Sequence, residues 1–311
     1  MSDKTRVSIV IPVFNEAGVI EQIHLKVAAA IEALPYDFSV YYVDDGSTDG
    51  TDAILDAISA QDARFKPLIL SRNFGHQAAL SAGLDHADGD VIISMDGDGQ
   101  HPPELLGEMI ALIEQGYDIV QAQRIEEDGS LSFKKVTSGV FYSLINHISG
   151  TRIQPGAADF RALSRQALDA LKSMPEYHRF LRGMFAWMGY KSLILPYHQP
   201  RRVAGKSKYS LGKMLRLASD AVFSFSLMPL YIGLSVGGLF LILAVVQIAY
   251  VLLLWLTGQY DRIVPGWSSL MAIMLIASGI IMILLGFIGV YVGYIFQQVK
   301  GRPIYLLKNK H

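Results

Sequence analysis

The 311-residue chain has no cysteine, which excludes disulfides, thiolate metal centres and a thiol nucleophile. It has almost no net charge: 27 Lys and Arg stand against 28 Asp and Glu, for a balance of -1. No basic excess therefore argues for nucleic acid as a partner. A G-x-G-x-x-G turn is missing after the first apolar run, where Pro12-Val13-Phe14-Asn15-Glu16-Ala17-Gly18 stands instead, and a P-loop is missing too. Dinucleotide oxidoreductase and P-loop NTPase readings lose their main support. The polar start, Met1 to Arg6, carries no signal peptide, so the first domain is expected to stay cytoplasmic. The sharpest deficit is local. No charge occurs from Ala221 to Tyr260, nor, after Asp261 and Arg262, from Ile263 to Val299. Each stretch exceeds the roughly 20 apolar residues that cross a bilayer.

Those two stretches and their short polar connector predict a transmembrane hairpin over 229–299, with spans at about 229–257 and 267–297. Lys300, Arg302, Lys308 and Lys310 follow the second span, against Arg262 alone in the connector. By the positive-inside rule the 300–311 tail is a cytoplasmic basic tail, and the large domain shares its side. Trp255, Tyr260 and Trp267 sit where an aromatic belt would. Gly233 to Gly237 and Gly289 to Gly293 are small-xxx-small patterns that allow close helix approach, within the hairpin or between subunits.

The first 208 residues read as a soluble domain. Val7–Ile11, Phe38–Val43, Phe65–Leu70, Val91–Met95 and Tyr117–Gln121 are strand-like runs. Helical spacing separates them, as in Val19, Ile23, Val27, Ile31 and Leu34. Strands alternating with helices predict a parallel sheet covered on both faces. Ser47 and Asp49 are expected to cap a helix from about Thr51. Phe133 to Ile148 and Tyr209 to Met228 mix apolar spacing with lysines and arginines. By pattern alone the first (133–149) reads as either a core-facing or an interfacial helix, and beside a membrane anchor it is expected as an interfacial one; the second (209–228) is expected as a juxtamembrane amphipathic helix.

The chemistry centres on Asp96-Gly97-Asp98-Gly99-Gln100, just past the apolar run Val91–Met95. Two carboxylates one residue apart beyond a buried strand are costly for stability, through repulsion and desolvation. A hard divalent cation, Mg²⁺ or Mn²⁺, removes that cost and brings affinity for a diphosphate. The expectation is a nucleotide-linked substrate at the carboxyl ends of parallel strands.

Six segments stand in an order that resembles family 2 glycosyltransferases of GT-A fold. They are Val10–Glu16, Val43–Asp49, Ser71–Gly75, Asp96–Glu104, Ala158–Arg161 and Arg202–Ser210. With the hairpin, the chain looks like a polyprenyl-phosphate glycosyltransferase, the group that includes dolichyl-phosphate mannose synthases and undecaprenyl-phosphate glucosyltransferases. The resemblance implies an α/β GT-A domain with a Rossmann-like, mostly parallel sheet. It implies transfer of a hexose or related sugar from a nucleotide sugar, a UDP-sugar such as UDP-glucose preferred, to undecaprenyl or dolichyl phosphate, with inversion. It also implies that Asp96, Asp98 and Gln100 face the metal, and that Pro12, Asn15, Glu16, Asp45, Asn73 and Asp96 line the donor pocket. Asp98, Asp159 and Arg202 carry the catalytic expectation. Arg124, Lys134 and Lys208 are expected at the acceptor phosphate. His76 is read as a surface or capping residue or a site residue, undecided.

A phosphate monoester is largely a dianion at neutral pH, its second pKa being about 6. It needs no general base, so Asp159 is expected to orient the sugar or Arg161. Partners implied are the nucleotide sugar, the polyprenyl phosphate, the lipid bilayer and further copies of the chain, as in a tetramer. Two rival readings remain: a dolichyl-phosphate mannose synthase-type enzyme using GDP-mannose, and a membrane-tethered, non-catalytic sugar-nucleotide binding protein.

Overall fold

Apolar runs buried on both faces dictate the centre of the molecule. Every residue of β1 (Arg6–Val13) after the first is buried, as is every residue of β4 (Val91–Ser94). Such strands belong inside a parallel sheet covered on both sides. The computed structural model describes residues 4–125, 157–177, 179–198 and 266–308, with scattered positions between 235 and 258. It divides into two units, Met1–Ala218 with Arg302–His311, and Ser219–Gly301.

The first unit is built on a seven-stranded sheet in the order β3-β2-β1-β4-β6-β5-β7. Here β2 is Asp37–Asp44, β3 Phe65–Ile69, β5 Ile119–Ile125, β6 Ala157–Ser164 and β7 Ser192–His198. The pairs β1/β2, β1/β4, β2/β3 and β5/β7 are parallel. Strand β6 lies antiparallel between β4 and β5. The sheet is thus mostly parallel, as expected for GT-A, and mixed rather than parallel throughout. Neither β6 nor β7 was expected as a strand.

Helices α1 (Ile20–Glu32), α2 (Thr51–Gln61), α3 (His76–His86) and α4 (Leu106–Glu114) alternate with β1 to β5. α5 (Arg165–Lys172) and α6 (Leu181–Trp187) lie between β6 and β7. α1 buries Ile20, Ile23, Val27 and Ile31, one face at helical spacing. Full burial of such a side chain contributes about 1.5–3 kcal/mol. Gly50, in left-handed conformation, is the N-cap of α2 rather than Ser47 or Asp49. Asp49 still accepts the Thr51 N–H, and Ser47 is drawn away to accept the Asn15 N–H.

α3 is made of small residues where it meets the sheet. A Cβ on Gly83 would lie 2.1 Å from Val10 Cγ1 and 2.9 Å from Val43 Cγ2. Gly83→Ala must therefore lift α3 off β1 and β2, and an overpacked core loses about 1–3 kcal/mol. Urea unfolding of the variant should show that loss as a lower midpoint at unchanged slope; an unchanged midpoint would refute the close packing.

The second unit contains α7 (Trp267–Val299), 33 residues long. Within it Ile276–Val299 has mean hydropathy 2.3, long and apolar enough to cross a membrane. Its apolar side chains are exposed, Met282 by 69%. The first expected span is described only at scattered positions, among which Ser235, Leu243 and Leu254 are helical. The helices expected over 133–149 and 209–228 lie outside the described residues.

Candidate active site

In an α/β sheet the carboxyl edge of the parallel strands is where loops and helix N-termini converge. Asn15 follows β1 there, Asp45 follows β2, Asp96 follows β4, and Arg124 ends β5. Because β6 runs the other way, it brings its amino-terminal residues to that edge. The β4/β6 ladder pairs Val91 with Ser164 and Ser94 with Arg161. Continued two residues further, that register sets Asp96 opposite Asp159. The Ser94 hydroxyl donates to the Asp159 carbonyl at 2.8 Å and fixes this approach.

The Asp159 carboxylate is 5% exposed and gripped from two sides. Arg182, on α6, donates Nε to Oδ1 and Nη2 to Oδ2, both at 2.9 Å. His76, the first residue of α3, places Nε2 3.2 Å from Asp159 Oδ2 and 3.5 Å from Asp96 Oδ1. Burial alone would raise the Asp159 pKa, but the Arg182 charge and the hydrogen bonds from His76 and Arg182 hold it well below the usual carboxylate range. Desolvation would lower the His76 pKa; its bond to Asp159 and the charges of Asp96 and Asp159 prevail and push it up to about 9. Asp96 goes the opposite way to Asp159. Burial raises its pKa, and the nearby His101 and His76 only partly offset this.

His101 supports Asp96 from behind. Its Nδ1 accepts the Asp96 N–H at 2.8 Å, and its ring stacks on Phe160 at 4.9 Å and 12°. Asp98 and Gln100 pair with each other: the Gln100 N–H donates to Asp98 Oδ1 at 3.1 Å and its Nε2 to Oδ2 at 2.7 Å.

Around Asp45 the residues expected at the donor join two loops. Asp45 accepts the Phe74 N–H at 2.7 Å and the Gly75 N–H at 2.9 Å. Asn15, at φ 53°, accepts the Thr48 N–H at 2.9 Å. The Glu16 N–H donates to Thr51 Oγ1 at 3.1 Å. Gly46, at φ +69°, admits the Arg72 backbone so closely that a Cβ would lie 2.4 Å from its carbonyl carbon. Pro12 is buried within β1, and Asn73 is exposed on the loop before α3.

A cavity of about 240 Å³ opens beside this cluster, its walls including Phe74, His76, Asp159, Phe180 and Arg182. The structure thus brings Asp96, Asp159 and His76 together and keeps Asp98 with Gln100. Arg124 is exposed at the end of β5. Lys134, Lys208 and Arg202 fall outside the described residues, as do Lys135, Arg201 and Lys206. Asp159 binds Arg182 rather than Arg161; Arg161 turns to Gln121 Oε1 at 2.6 Å and lies over the Phe185 ring. Sequence reasoning passed over Arg182 and His101. His101 stands inside the Asp96–Glu104 segment, so its place in a motif was a signal; Arg182 had none.

The description Glycosyl transferase family 2 matches residues 8–172, more than half of the 311. The chain belongs to glycosyltransferase family 2. This glycosyltransferase is 38% identical to the uncharacterized glycosyltransferase YkcC of Bacillus subtilis (strain 168), over 100% of this chain and 96% of that protein. It is 35% identical to the SfII prophage-derived bactoprenol glucosyl transferase of Shigella flexneri, over 98% of each. A solved structure, mannosyl-3-phosphoglycerate synthase from Rubrobacter xylanophilus, is 19% identical with a TM-score of 0.49, over 70% of this chain and 71% of that one.

A family 2 transferase with an Mg²⁺ or Mn²⁺ cofactor must offer the ion an oxygen. Asp96 Oδ1 does: it is buried and accepts no hydrogen bond among the described residues. Ligand atoms of His76, Asp96 and Asp159 lie within 4.8 Å of one another. Asp159 already has both oxygens engaged, and His76 Nε2 is turned to it. The oxygen that fits a hard cation is that of Asp96; Asp98, two residues on, would have to release Gln100 to join it.

Proposed function

We propose that this glycosyltransferase moves a hexose from a nucleotide sugar, UDP-glucose preferred, to a polyprenyl phosphate at the cytoplasmic face of a membrane. Two transmembrane spans, the 133–149 and 209–228 helices and the basic tail hold the site at the headgroup plane, where a tetramer fits the glycine faces. Full-length similarity to bactoprenol glucosyl transferases supports the acceptor class and the sugar. A polyprenyl tail leaves the bilayer at about 0.8 kcal/mol per exposed CH₂, so the enzyme must come to it.

The observation that carries the mechanism is Asp159 clamped between Arg182 and His76. A useful general base has a pKa near the working pH. Asp159 sits far below that, and both its oxygens are occupied. This favours a nucleophile that arrives already ionised, as a phosphate monoester does. Asp159 instead aims Arg182 and His76 along the cavity. These cations face an incoming phosphate, and the planar guanidinium suits its oxygens. Asp96 and Asp98 would hold Mg²⁺ or Mn²⁺, which when bound supplies Lewis-acid stabilisation of the departing diphosphate. Asp45 locks the 74–75 backbone to the loop after β2, shaping the donor pocket that Pro12, Asn15, Glu16 and Asn73 complete. Arg124, Lys134, Arg202 and Lys208 guide the acceptor headgroup.

Asp159→Asn keeps the shape and removes the charge. It should lower turnover about 10- to 100-fold, in the lower range for loss of one positioned polar group, and the residual rate should fall off at a lower pH than in the wild type, because His76 loses the partner that raises its pKa. A residual rate that climbs with hydroxide would reveal a lost base. The whole reading is tested by a donor screen in membranes containing undecaprenyl phosphate, following labelled lipid with and without EDTA. UDP-glucose should label the lipid and EDTA should suppress it. GDP-mannose as the working donor would overturn the sugar assignment. Donor binding without any lipid product would leave a binding protein.

A further inference from the structure

After α7 the chain returns to the first unit, and the returning segment is more than a charged tail. The Ser71 N–H donates to the Leu306 carbonyl and the Lys308 N–H to the Ile69 carbonyl, each at 2.8 Å. Leu70 and Leu307 form an antiparallel bridge. These bonds extend the sheet at β3, its edge strand, past the last residue that pairs with β2. The same segment reaches the far end of α3. The Tyr305 hydroxyl donates to Asp85 Oδ2 at 3.3 Å, and its ring lies 6.4 Å from that of His86. Lys308 Nζ lies 3.9 Å from Asp52 on α2. Asp85 is itself held by Arg179 at 3.3 Å, three residues before Arg182.

Between the two gripped ends lie the 72–75 loop and α3. That loop supplies the N–H groups that Asp45 binds, and α3 begins with His76. We infer that residues 302–308 are a positioning element of the active site: they clasp the segment 69–86 at both ends and so fix the 72–76 loop against Asp45 and Asp159. The inference rests on the donor reading of Asp45 and Asn73. A plain alternative for such a strand is to cover an exposed edge against pairing with other chains. The bond from Tyr305 to Asp85 argues for more, because α3 is no part of that edge.

The test uses the full chain in its membrane, with a Lys308→Pro/Tyr305→Phe double variant. Proline removes the N–H that Ile69 accepts, and phenylalanine removes the hydroxyl that Asp85 accepts. Neither residue belongs to the core or the catalytic cluster. Amides 71–76 should exchange with solvent at least tenfold faster, and UDP, used as the probe, should bind about tenfold more weakly. The rate at saturating donor should change less than threefold. Unchanged exchange at 71–76 would refute the clasp itself. Faster exchange with unchanged UDP affinity would leave only an edge cover. A wild-type protein that binds neither UDP nor GDP would defeat the donor reading, and the inference with it, whatever the exchange data show.

Discussion

Asp96→Asn should abolish sugar transfer, by about 10³-fold or more, while leaving the protein at least as stable as before. A 10³-fold loss corresponds to about 4 kcal/mol of transition-state stabilisation. Asp96 is the one carboxylate of the cluster with a buried oxygen that takes no hydrogen bond among the described residues. Of Asp96 and Asp159 it is also the one whose pKa ends above the usual carboxylate value, through burial that the nearby histidines only partly offset. A carboxyl with a folded pKa above its unfolded value is destabilising when ionised, and stability falls as pH rises through the folded pKa. An amide at that position carries no such cost, so the metal-free variant should melt at an equal or higher temperature at neutral pH. The same change removes the anionic oxygen a hard cation needs, so Mn²⁺-dependent binding of UDP should vanish with activity. Titration of UDP by calorimetry with and without Mn²⁺, beside a melting curve, reads both effects. A variant that loses activity only because it unfolds, or one that retains metal-dependent binding, would show that Asp96 is not the ligand.

The parallel half of the fold was legible because its cause is local. β1 and β4 are apolar on both faces, and an unbroken apolar run signals a doubly covered strand wherever it occurs. The order of strands had no such local cause. β6 reads Ala157-Ala158-Asp159-Phe160-Arg161; its place between β4 and β5 is decided by pairing with residues 67–73 positions away on β4 and 34–44 on β5. That placement makes the site. Asp96 was singled out by the paired carboxylates of its own segment and Asp159 by resemblance, but only an antiparallel β6 explains why they face each other. His76 was weighed as a capping residue because nothing beside it in sequence is acidic; both its partners arrive from other strands. Arg182 sits on a seven-residue helix without a motif and was passed over. Residues 302–308 read as a solvated basic tail because their bonding is through backbone groups, which composition does not report.

Arg182→Ala carries the second large effect. It should cut kcat/KM for polyprenyl phosphate by about 10²- to 10³-fold, the loss seen when a preorganised charge-stabilising donor is removed. Affinity for UDP should stay within threefold, because Arg182 is anchored to Asp159 on β6 rather than to the loops joined by Asp45. Arg182→Lys should recover only part of the rate, since an ammonium cannot span both Asp159 oxygens as the guanidinium fork does. One confounding effect is built into the geometry. Removing Arg182 leaves a carboxylate that is 5% exposed with His76 as its remaining hydrogen-bond partner, and breaking a buried pair costs about 3–5 kcal/mol. The double variant Arg182→Ala/Asp159→Asn separates the two consequences. It should regain most of the lost stability, because no buried charge is stranded, and should regain none of the transfer rate. If the rate returns with the stability, Arg182 serves only to neutralise Asp159 and the acceptor phosphate is held elsewhere. If UDP affinity falls in parallel with the rate, the guanidinium belongs to the donor side of the site.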